Sequence, residues 1–177
     1  VMVGVGTVLA DDPHLTLDVE DRRVQRLRAG RAGHPARVVA DSRGRTPTDA
    51  RVLDDVATTY LLVSAAAPET RREALREAGA RVVEVGEDRV DLPAALDALD
   101  GEGIDRLMVE GGGEVLFSLF DAGLVDELTV YVGSTIIGGR DAPTLVDGEG
   151  FVEDFPDLSL AEVERLDDGV LLQYAVE

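Results

Sequence analysis

The chain has 177 residues, 45% of them apolar, which suits one globular domain with a single core. Its 36 Asp and Glu residues outnumber 17 basic residues, all of them Arg, and the resulting net charge of −19 repels nucleic acid and anionic membranes. Cysteine is absent, which excludes disulfides, thiolate zinc sites and a cysteine nucleophile.

Predicted strands and helices alternate through most of the chain. The predicted strands cover residues 1–5, 36–40, 60–64, 81–85 and 106–109. The predicted helices cover residues 68–79, 92–99 and 115–122, and residues 18–33 form a loop or a short exposed helix. This order is typical of an α/β fold with a mostly parallel sheet and helices on both faces.

The C-terminal part departs from this alternation. Residues 127–132 are predicted as a strand, Gly138-Gly139 as a turn and residues 147–154 as a loop. Residues 158–166 pair with residues 170–176 across a turn of two Asp and one Gly, which predicts an antiparallel hairpin. The sequence therefore predicts one domain built on a mixed, mostly parallel sheet.

The same composition also predicts how the protein responds to salt and whether it associates with membranes. The acid excess predicts adaptation to molar salt, where the Debye length falls to about 3 Å and self-repulsion is screened. GC-rich codon usage would explain the use of Arg in place of Lys, but not the excess of acidic residues.

The sequence contains neither a run of roughly 18 apolar residues nor a leader with basic and then apolar residues. We expect a soluble, cytoplasmic protein without nucleic-acid or membrane partners.

Two glycine-bearing segments follow predicted strands and point to phosphate binding. The first, residues 109–114, reads V-E-G-G-G-E and opens a helix, so backbone amides and a helix dipole face an anion without Cβ interference. Taken alone, it also fits a plain βα turn. The second, residues 3–13, reads V-G-V-G-T-V-L-A-D-D-P. It lacks the G-x-G-x-x-G dinucleotide fingerprint, because Leu9 stands where glycine is required.

Further motifs follow in a fixed order: residues 41–47 read D-S-R-G-R-T-P, residues 110–113 E-G-G-G, residues 123–127 G-L-V-D-E, and Gly138-Gly139 precedes A-P-T at 142–144. With the segment 4–16, this series resembles the riboflavin-pathway reductases. The likeness is strongest to the archaeal diaminopyrimidinone phosphate reductases, which share a dihydrofolate reductase-like fold. It implies that NADPH reduces C1′ of a ribosylamino group on a pyrimidine 5′-phosphate, and that the protein forms a homodimer.

The resemblance also assigns residues to the site. The cofactor-binding set is Thr7, Asp11, Ser42, Arg45, Gly111, Gly112, Gly113 and Glu114. Ser42 and Arg45 fall near the adenosine end of NADPH, and the three glycines fall at its phosphates. Leu15 and Glu110 fall on the substrate side. Asp11 or Glu110 is a candidate proton relay if partial burial raises its pKa, and a turn cap or a ribose hydrogen bond is the alternative role.

Several features depart from the resemblance. Glu114 stands where relatives carry Thr, and Asp18 stands where some relatives carry a basic residue for the substrate phosphate. The family also has a preceding strand with an S-x-D-G-K-like stretch, so the domain is expected to lack its N-terminal strand and substrate-side segment. His14 and His34 lie in different loops without a carboxylate pattern and predict no metal site. The competing hypotheses are a non-catalytic nucleotide- or phosphosugar-binding module and a pterin reductase of the same fold.

Overall fold

The computed structural model describes residues 1–139, 142 and 144–177. The chain divides into two compact units, Val1–Val115 and Leu116–Glu177. Pro143, which belongs to the A-P-T motif, lies outside the described residues. Among the residues that are described, no helix is long and apolar enough to cross a membrane.

The first unit is built on a five-stranded sheet whose strands are all parallel, in the order β4-β3-β2-β1-β5. Its strands are β1 (Met2–Gly4), β2 (Arg37–Ala40), β3 (Thr59–Val63), β4 (Arg81–Glu84) and β5 (Val109–Gly111). Its helices are α1 (Val5–Asp11), α2 (Glu20–Arg28), α3 (Glu69–Glu77), α4 (Leu92–Gly101) and the start of α5 (Gly113–Asp121). The α/β class predicted from the alternation is confirmed.

Side chains of the central strands alternate between two core layers, one on each face of the sheet. One layer contains Val3, Val39 and Leu61 with Val8 of α1 and Leu75 of α3. The other contains Met2, Val38 and Leu62 with Ala95 and Leu99 of α4. Strands buried on both faces are apolar at successive positions, which is why they stand out in the sequence. Helices cover both faces, as predicted.

The second unit carries an antiparallel sheet in the order β6-β8-β7. Its strands are β6 (Glu127–Val132), β7 (Leu158–Leu166) and β8 (Gly169–Val176). The predicted hairpin is confirmed, with Asp167 in the left-handed region at φ 52° in its tight loop. The parallel and antiparallel strands thus lie in two sheets instead of one mixed sheet, because in the described residues β5 pairs with β1 and β6 pairs with β8.

The first predicted strand is shorter than expected. It ends at Gly4, and Val5 already begins α1. Val5 and Val8, three residues apart, are both buried, which is the spacing of one helix face rather than of a strand. Thr7 therefore lies in a helix and not in the first strand.

The strand predicted at residues 106–109 lies further along, at Val109–Gly111. Its neighbour in the parallel sheet is the short strand β1, so the ladder forms beside Met2 and Val3 only. Gly111 is thus a strand residue, and Gly113 is already helical. Gly112 alone forms the turn between them, with φ 91°.

Candidate functional site

The candidate site lies at the C-terminal ends of the parallel strands, where the strand order reverses. The chain places β2 on one side of β1 and β5 on the other. In open α/β sheets, ligands bind outside the carboxyl ends of the strands at such a switch point. The turn into α1 follows β1, and Gly112 with the start of α5 follows β5. The two glycine segments of the sequence meet at this point.

Backbone packing at the switch point requires glycine. A methyl group on Gly4 would lie 2.9 Å from Cγ2 of Val115, and one on Gly112 would lie 3.4 Å from the backbone nitrogen of Gly4. The positive φ of Gly112 also disfavours any other residue. The absence of side chains lets the two turns approach each other directly, which forms a cradle lined by main chain.

Thr7 joins this cradle from the first turns of α1. A methyl group on Gly111 would lie 3.5 Å from Thr7 Oγ1, and one on Gly112 would lie 3.8 Å from the same atom. The Thr7 side chain is half-buried. The structure thus brings together Thr7, Gly111 and Gly112, which are more than a hundred residues apart in sequence.

The start of α5 completes the cradle. Gly113 begins a nine-residue helix, and the first N–H groups of a helix have no partner within it. These donors and the positive helix end favour an anion. Glu114, in the first turn, carries a charge that suits the same dipole. A glycine cradle beside a helix N-terminus fits the diphosphate of a dinucleotide.

The turn after β2, residues 41–47, is held from two sides. Asp41 is fully buried, and its Oδ2 accepts hydrogen bonds from the backbone N–H of Thr46 at 2.7 Å and from the Thr46 hydroxyl at 2.8 Å. Arg71 of α3 donates to the carbonyl of Gly44 at 2.8 Å and to that of Thr46 at 2.6 Å. Sequence reasoning missed the roles of Asp41 and Arg71, because nothing local pairs a helix residue with this turn.

Within this turn, the Arg45 side chain is exposed, and Ser42 hydrogen-bonds to two neighbouring segments. The Arg45 side chain is 59% exposed, and its Nε lies 4.0 Å from Oδ1 of Asp41. Ser42 Oγ accepts from the N–H of Val90 at 3.0 Å, and the Ser42 carbonyl accepts from the Ser64 hydroxyl at 2.8 Å. Ser42 therefore joins the segments that follow β2, β3 and β4. Since β1 separates β2 from β5, this turn lies two strand spacings, roughly 10 Å, from the β5 side of the glycine cradle.

The two candidate proton relays are both exposed. Asp11 is the last residue of α1, and Glu110 is the middle residue of β5. Because side chains alternate along a strand, Glu110 faces the side opposite to its neighbours Val109 and Gly111. Neither side chain shows the partial burial that the sequence argument invoked. Their catalytic role stays a prediction.

Leu15 lies at the opposite edge of the sheet from the cradle. Its φ of 52° is left-handed, as is the φ of 41° at Asp12, and its side chain packs against the core layer of α1 and α3. The preceding residue, His14, places Nε2 2.5 Å from Oδ2 of Asp54. His14 therefore does have a carboxylate partner, contrary to the sequence prediction.

Arg37, the first residue of β2, organises this opposite edge. Its fully buried guanidinium donates to Asp54 Oδ1 at 2.7 Å, the Asp54 carbonyl at 2.6 Å, the Ala57 carbonyl at 2.5 Å and Thr59 Oγ1 at 2.9 Å. Desolvation raises the pKa of Asp54, but the hydrogen bonds from Arg37 and His14 outweigh it and lower that pKa to about 2. We call this group the Arg37 cluster.

His34 is also engaged locally, since its Nδ1 accepts from the backbone N–H of Leu17 at 3.2 Å. In the part of the chain that the structure describes, no three His, Cys, Asp or Glu side chains are grouped so as to hold a metal ion. The histidines therefore support loops. Neither the Asp54 partner nor the buried Arg37 carries a sequence signal, because each depends on contacts between distant segments.

Comparison with known proteins adds independent findings. The model of the RibD C-terminal domain family matches residues 1–172. The chain is 46% identical over 169 residues to the 2,5-diamino-6-ribosylamino-4(3H)-pyrimidinone 5′-phosphate reductase of Archaeoglobus fulgidus, covering 96% of this chain and 75% of that protein. It is also 46% identical, over 180 residues, to the protein of the same name from Methanothermobacter thermautotrophicus, covering 100% and 79%.

Longer and more distant proteins match as well. Riboflavin biosynthesis protein RibD of Bacillus amyloliquefaciens is 34% identical over 97% of this chain, which spans 45% of that protein. Among solved structures, a pyrimidine reductase-like protein from Corynebacterium diphtheriae superposes with a TM-score of 0.84 at 19% identity, covering 99% of this chain and 75% of the other. RibD of Acinetobacter baumannii gives a TM-score of 0.77 at 23% identity, covering 99% and 46%. The resemblance and the fold predicted from the sequence motifs are confirmed.

Proposed function

Because the chain belongs to the RibD C-terminal domain family, we propose that it is a riboflavin-pathway reductase. Its reaction is the NADPH-dependent conversion of the ribosylamino group of a 2,5-diaminopyrimidinone 5′-phosphate into a ribitylamino group. The two archaeal proteins named for this substrate support the assignment, since each is 46% identical to nearly the whole chain.

The observation that carries the proposal is the cradle formed by Gly4, Thr7, Gly111 and Gly112 at the switch point. Bound NADPH supplies the hydride that adds to C1′ of the sugar. The backbone amides at Gly112 and Gly113 would hold its diphosphate, and the Thr7 hydroxyl lies beside Gly111 and Gly112. Fixing donor and acceptor carbons face to face accounts for most of the rate enhancement that such a transfer needs.

Arg45 supports the preference for NADPH over NADH. Its guanidinium is exposed and is held on a turn that Asp41 and Arg71 fix. A planar guanidinium binds a phosphate through two parallel hydrogen bonds, which suits the 2′-phosphate of NADPH. In a chain with net charge −19, such local donors must overcome a repulsive overall field.

Opening of the ribose ring requires a proton at the ring oxygen, and Asp11 or Glu110 relays it through water. The substitution Glu110→Gln tests whether Glu110, rather than Asp11, is the relay. If Glu110 relays the proton, kcat falls while the KM for NADPH is unchanged; unchanged kcat and KM would remove Glu110 from the site.

The deciding experiment follows NADPH oxidation by the natural-length protein in molar KCl with the diaminopyrimidinone phosphate as substrate. Gly111→Ala is the probe, because its methyl group would make only an ordinary 3.5 Å contact with Thr7 yet would enter the cradle. We expect the KM for NADPH to rise about tenfold, because the added methyl group would push the diphosphate away from the backbone amides and weaken a charge-assisted hydrogen bond. Gly101→Ala, which has nothing within 4 Å of the added methyl group, is the matched control.

The two competing hypotheses give different results in the same assay. NADPH binding without oxidation in the natural-length protein would favour a non-catalytic nucleotide-binding module. Oxidation with dihydrofolate but not with the phosphorylated pyrimidine would favour a pterin reductase. No uptake of NADPH by folded protein would contradict the proposal as a whole.

We also propose a homodimer. In the second unit, β7 is exposed along its whole length and presents Leu160, Val163 and Leu166 to solvent. Exposed apolar surface of this kind marks interaction sites. Light scattering in molar KCl tests the proposal, and a monomer mass at assay concentration would contradict it.

The remaining proposals concern salt adaptation, cellular location and domain organisation. Adaptation to high salt rests on the acid excess, and a thermal midpoint equal in dilute buffer and molar KCl would contradict it. A cytoplasmic location and a single reductase domain over residues 1–177 stay predictions from composition and resemblance.

A further inference from the structure

We propose that Asp41 is a positioning residue, which orients the guanidinium of Arg45 toward the 2′-phosphate of NADPH; the inference rests on the proposed function. Asp41 directly follows β2, at the C-terminal ends of the parallel strands. Its side chain is fully buried, so it can act on a bound cofactor only through its neighbours. The two oxygens of its carboxylate have different surroundings.

One oxygen of Asp41 holds the turn. Its Oδ2 accepts hydrogen bonds from the Thr46 backbone N–H at 2.7 Å and from the Thr46 hydroxyl at 2.8 Å. The Asp41 carbonyl accepts from the N–H of Gly44 at 3.0 Å. Arg71 donates to the carbonyls of Gly44 and Thr46, which flank Arg45. The backbone of Arg45 is therefore held on both sides, and its side chain is the part that keeps rotational freedom.

The other oxygen of Asp41 is not used by the turn. Among the residues that the structure describes, its Oδ1 is buried and has no hydrogen-bond partner. A buried carboxylate oxygen without a donor is unfavourable, and most such atoms in proteins are paired. The turn requires one acceptor at this point, which a neutral Asn side chain would also supply. The second oxygen and the negative charge therefore need another explanation.

The Arg45 side chain provides that explanation. Its Nε lies 4.0 Å from Oδ1 of Asp41, a distance at which opposite charges attract but do not form a hydrogen bond. Because the carboxylate is fully buried, salt screens this attraction less than it screens a pair of two exposed side chains. Asp41 thus favours the Arg45 rotamers in which Nε faces the turn.

This orientation leaves the phosphate-binding edge of the guanidinium available. The group is planar and rigid, so when Nε faces Asp41 the edge formed by Nη1 and Nη2 points in another direction. In the described part of the chain, the Arg45 side chain makes no hydrogen bond to the protein. Nη1 and Nη2 are therefore available to bind a phosphate through two parallel hydrogen bonds. Fixing the rotamer in advance lowers the entropy lost on binding.

The substitution Asp41→Asn tests the role, because it keeps the acceptor for Thr46 and removes the charge that faces Arg45. The KM for NADPH should rise about threefold, the size expected for a partly exposed charge pair. The KM for NADH and kcat with either cofactor should stay unchanged, since NADH lacks the 2′-phosphate. A fall in the KM for NADPH would mean that Asp41 only repels the phosphate, and an equal rise for both cofactors would mean that it only holds the turn. Either result would overturn the inference.

Thr46→Val is the matched control, because it removes a hydrogen bond to Asp41 and leaves the charge in place. It should lower the melting temperature, while the ratio of the KM for NADPH to the KM for NADH stays that of the parent protein. When Arg45 is already Ala, Asp41→Asn should no longer change this ratio, because no guanidinium remains to be oriented. A change of this ratio in the control as large as in Asp41→Asn, or a further change in the double variant, would also overturn the inference.

Calorimetry with adenosine 2′,5′-bisphosphate and adenosine 5′-monophosphate measures the same preference without catalysis. The parent protein should bind the bisphosphate more tightly, and Asp41→Asn should reduce this preference about threefold. An unchanged preference would overturn the inference. Failure of the parent protein to oxidise NADPH would contradict the proposed function instead, and a reduced preference in Asp41→Asn would still support the role of Asp41.

Arg45→Lys decides the question if Asp41→Asn does not fold, because Arg45 is exposed and the exchange keeps its charge. The single nitrogen of Lys cannot face Asp41 and bind the phosphate at the same time. The preference for the bisphosphate should therefore fall about threefold. A preference equal to that of the parent protein would overturn the inference.

Discussion

The two edges of the parallel sheet differ in how they satisfy their polar groups. At the N-terminal ends of β2 and β3, the guanidinium of Arg37 is fully buried and surrounded by acceptors. At the C-terminal ends, α5 begins at Gly113, where the first N–H groups of a helix have no partner within it, and the Arg45 side chain is 59% exposed. One edge has its donors paired within the protein, and under the proposed function the donors of the other edge bind the cofactor.

The difference shows that one residue type has opposite roles at the two edges. A buried guanidinium contributes to stability only when its donors are matched, and Arg37 meets this condition. An exposed guanidinium contributes little to folding but retains its donors for a phosphate. We therefore expect substitutions at the N-terminal edge to change stability and substitutions at the C-terminal edge to change cofactor binding.

The largest effect should follow Arg37→Met, which removes the buried charge and takes the guanidinium donor from the carbonyls of Asp54 and Ala57 and from the Asp54 carboxylate. We expect the free energy of unfolding to fall by about 3 kcal/mol in urea titrations. The dissociation constant for NADPH should not change in the folded fraction. Arg76→Met, on the exposed side of α3, is the control and should cost less than about 1 kcal/mol. If Arg37→Met lowered the free energy of unfolding no more than Arg76→Met does, the proposed difference between the two edges would be contradicted.

Arg45→Ala tests the other edge. The KM for NADPH should rise about tenfold, equivalent to about 1.4 kcal/mol, because the 2′-phosphate loses a bidentate partner. The KM for NADH should not change, since NADH lacks that phosphate. The melting temperature should also stay within error, because Arg45 is exposed. A parallel rise in both KM values would place Arg45 away from the 2′-phosphate, and Arg76→Ala controls for the change in net charge.

The substitution Asp54→Asn tests the N-terminal edge through the pH dependence of its stability. The pKa of Asp54 is lowered from 3.8 to about 2 in the folded protein, so ionised Asp54 stabilises the fold above about pH 4 and this contribution is lost as pH falls through 2. Unfolding measured at several pH values should show the parent protein more stable than the variant by about 1 kcal/mol at neutral pH, a value kept small because Asp54 is 36% exposed. The difference should vanish near pH 2. A constant difference across this range would contradict an ionic role.

The smallest effect is expected from Ser42→Ala, which removes the acceptor for the N–H of Val90. The loss should be about 0.5 kcal/mol, because the loop is near solvent and water can replace the hydroxyl. The KM for NADPH should rise less than it does in Arg45→Ala. A larger effect on this KM than on stability would indicate direct contact between Ser42 and the cofactor.

The comparison between edges also shows how far each could be predicted. The C-terminal edge was found from sequence because glycine, serine and arginine occur there in short motifs, each after an apolar strand. Thr7, Ser42, Arg45 and Gly111 do lie at or just after the C-terminal ends of the parallel strands. The N-terminal edge was missed, because Arg37, Asp54 and His14 come from separate segments that carry no motif.

The sequence by itself determined the alternation of strands and helices, the C-terminal hairpin, the glycine segments and the family, because periodicity, turn residues and motifs are local properties of the chain. Only the tertiary structure decided that Thr7 lies over Gly111, that Asp41 and Arg71 hold the Arg45 turn, and that His14 pairs with Asp54. It also decided the extent of β5, which depends on its partner strand. The physical reason is that a pairing between distant residues depends on the packing of the elements that carry them, and no local pattern records it.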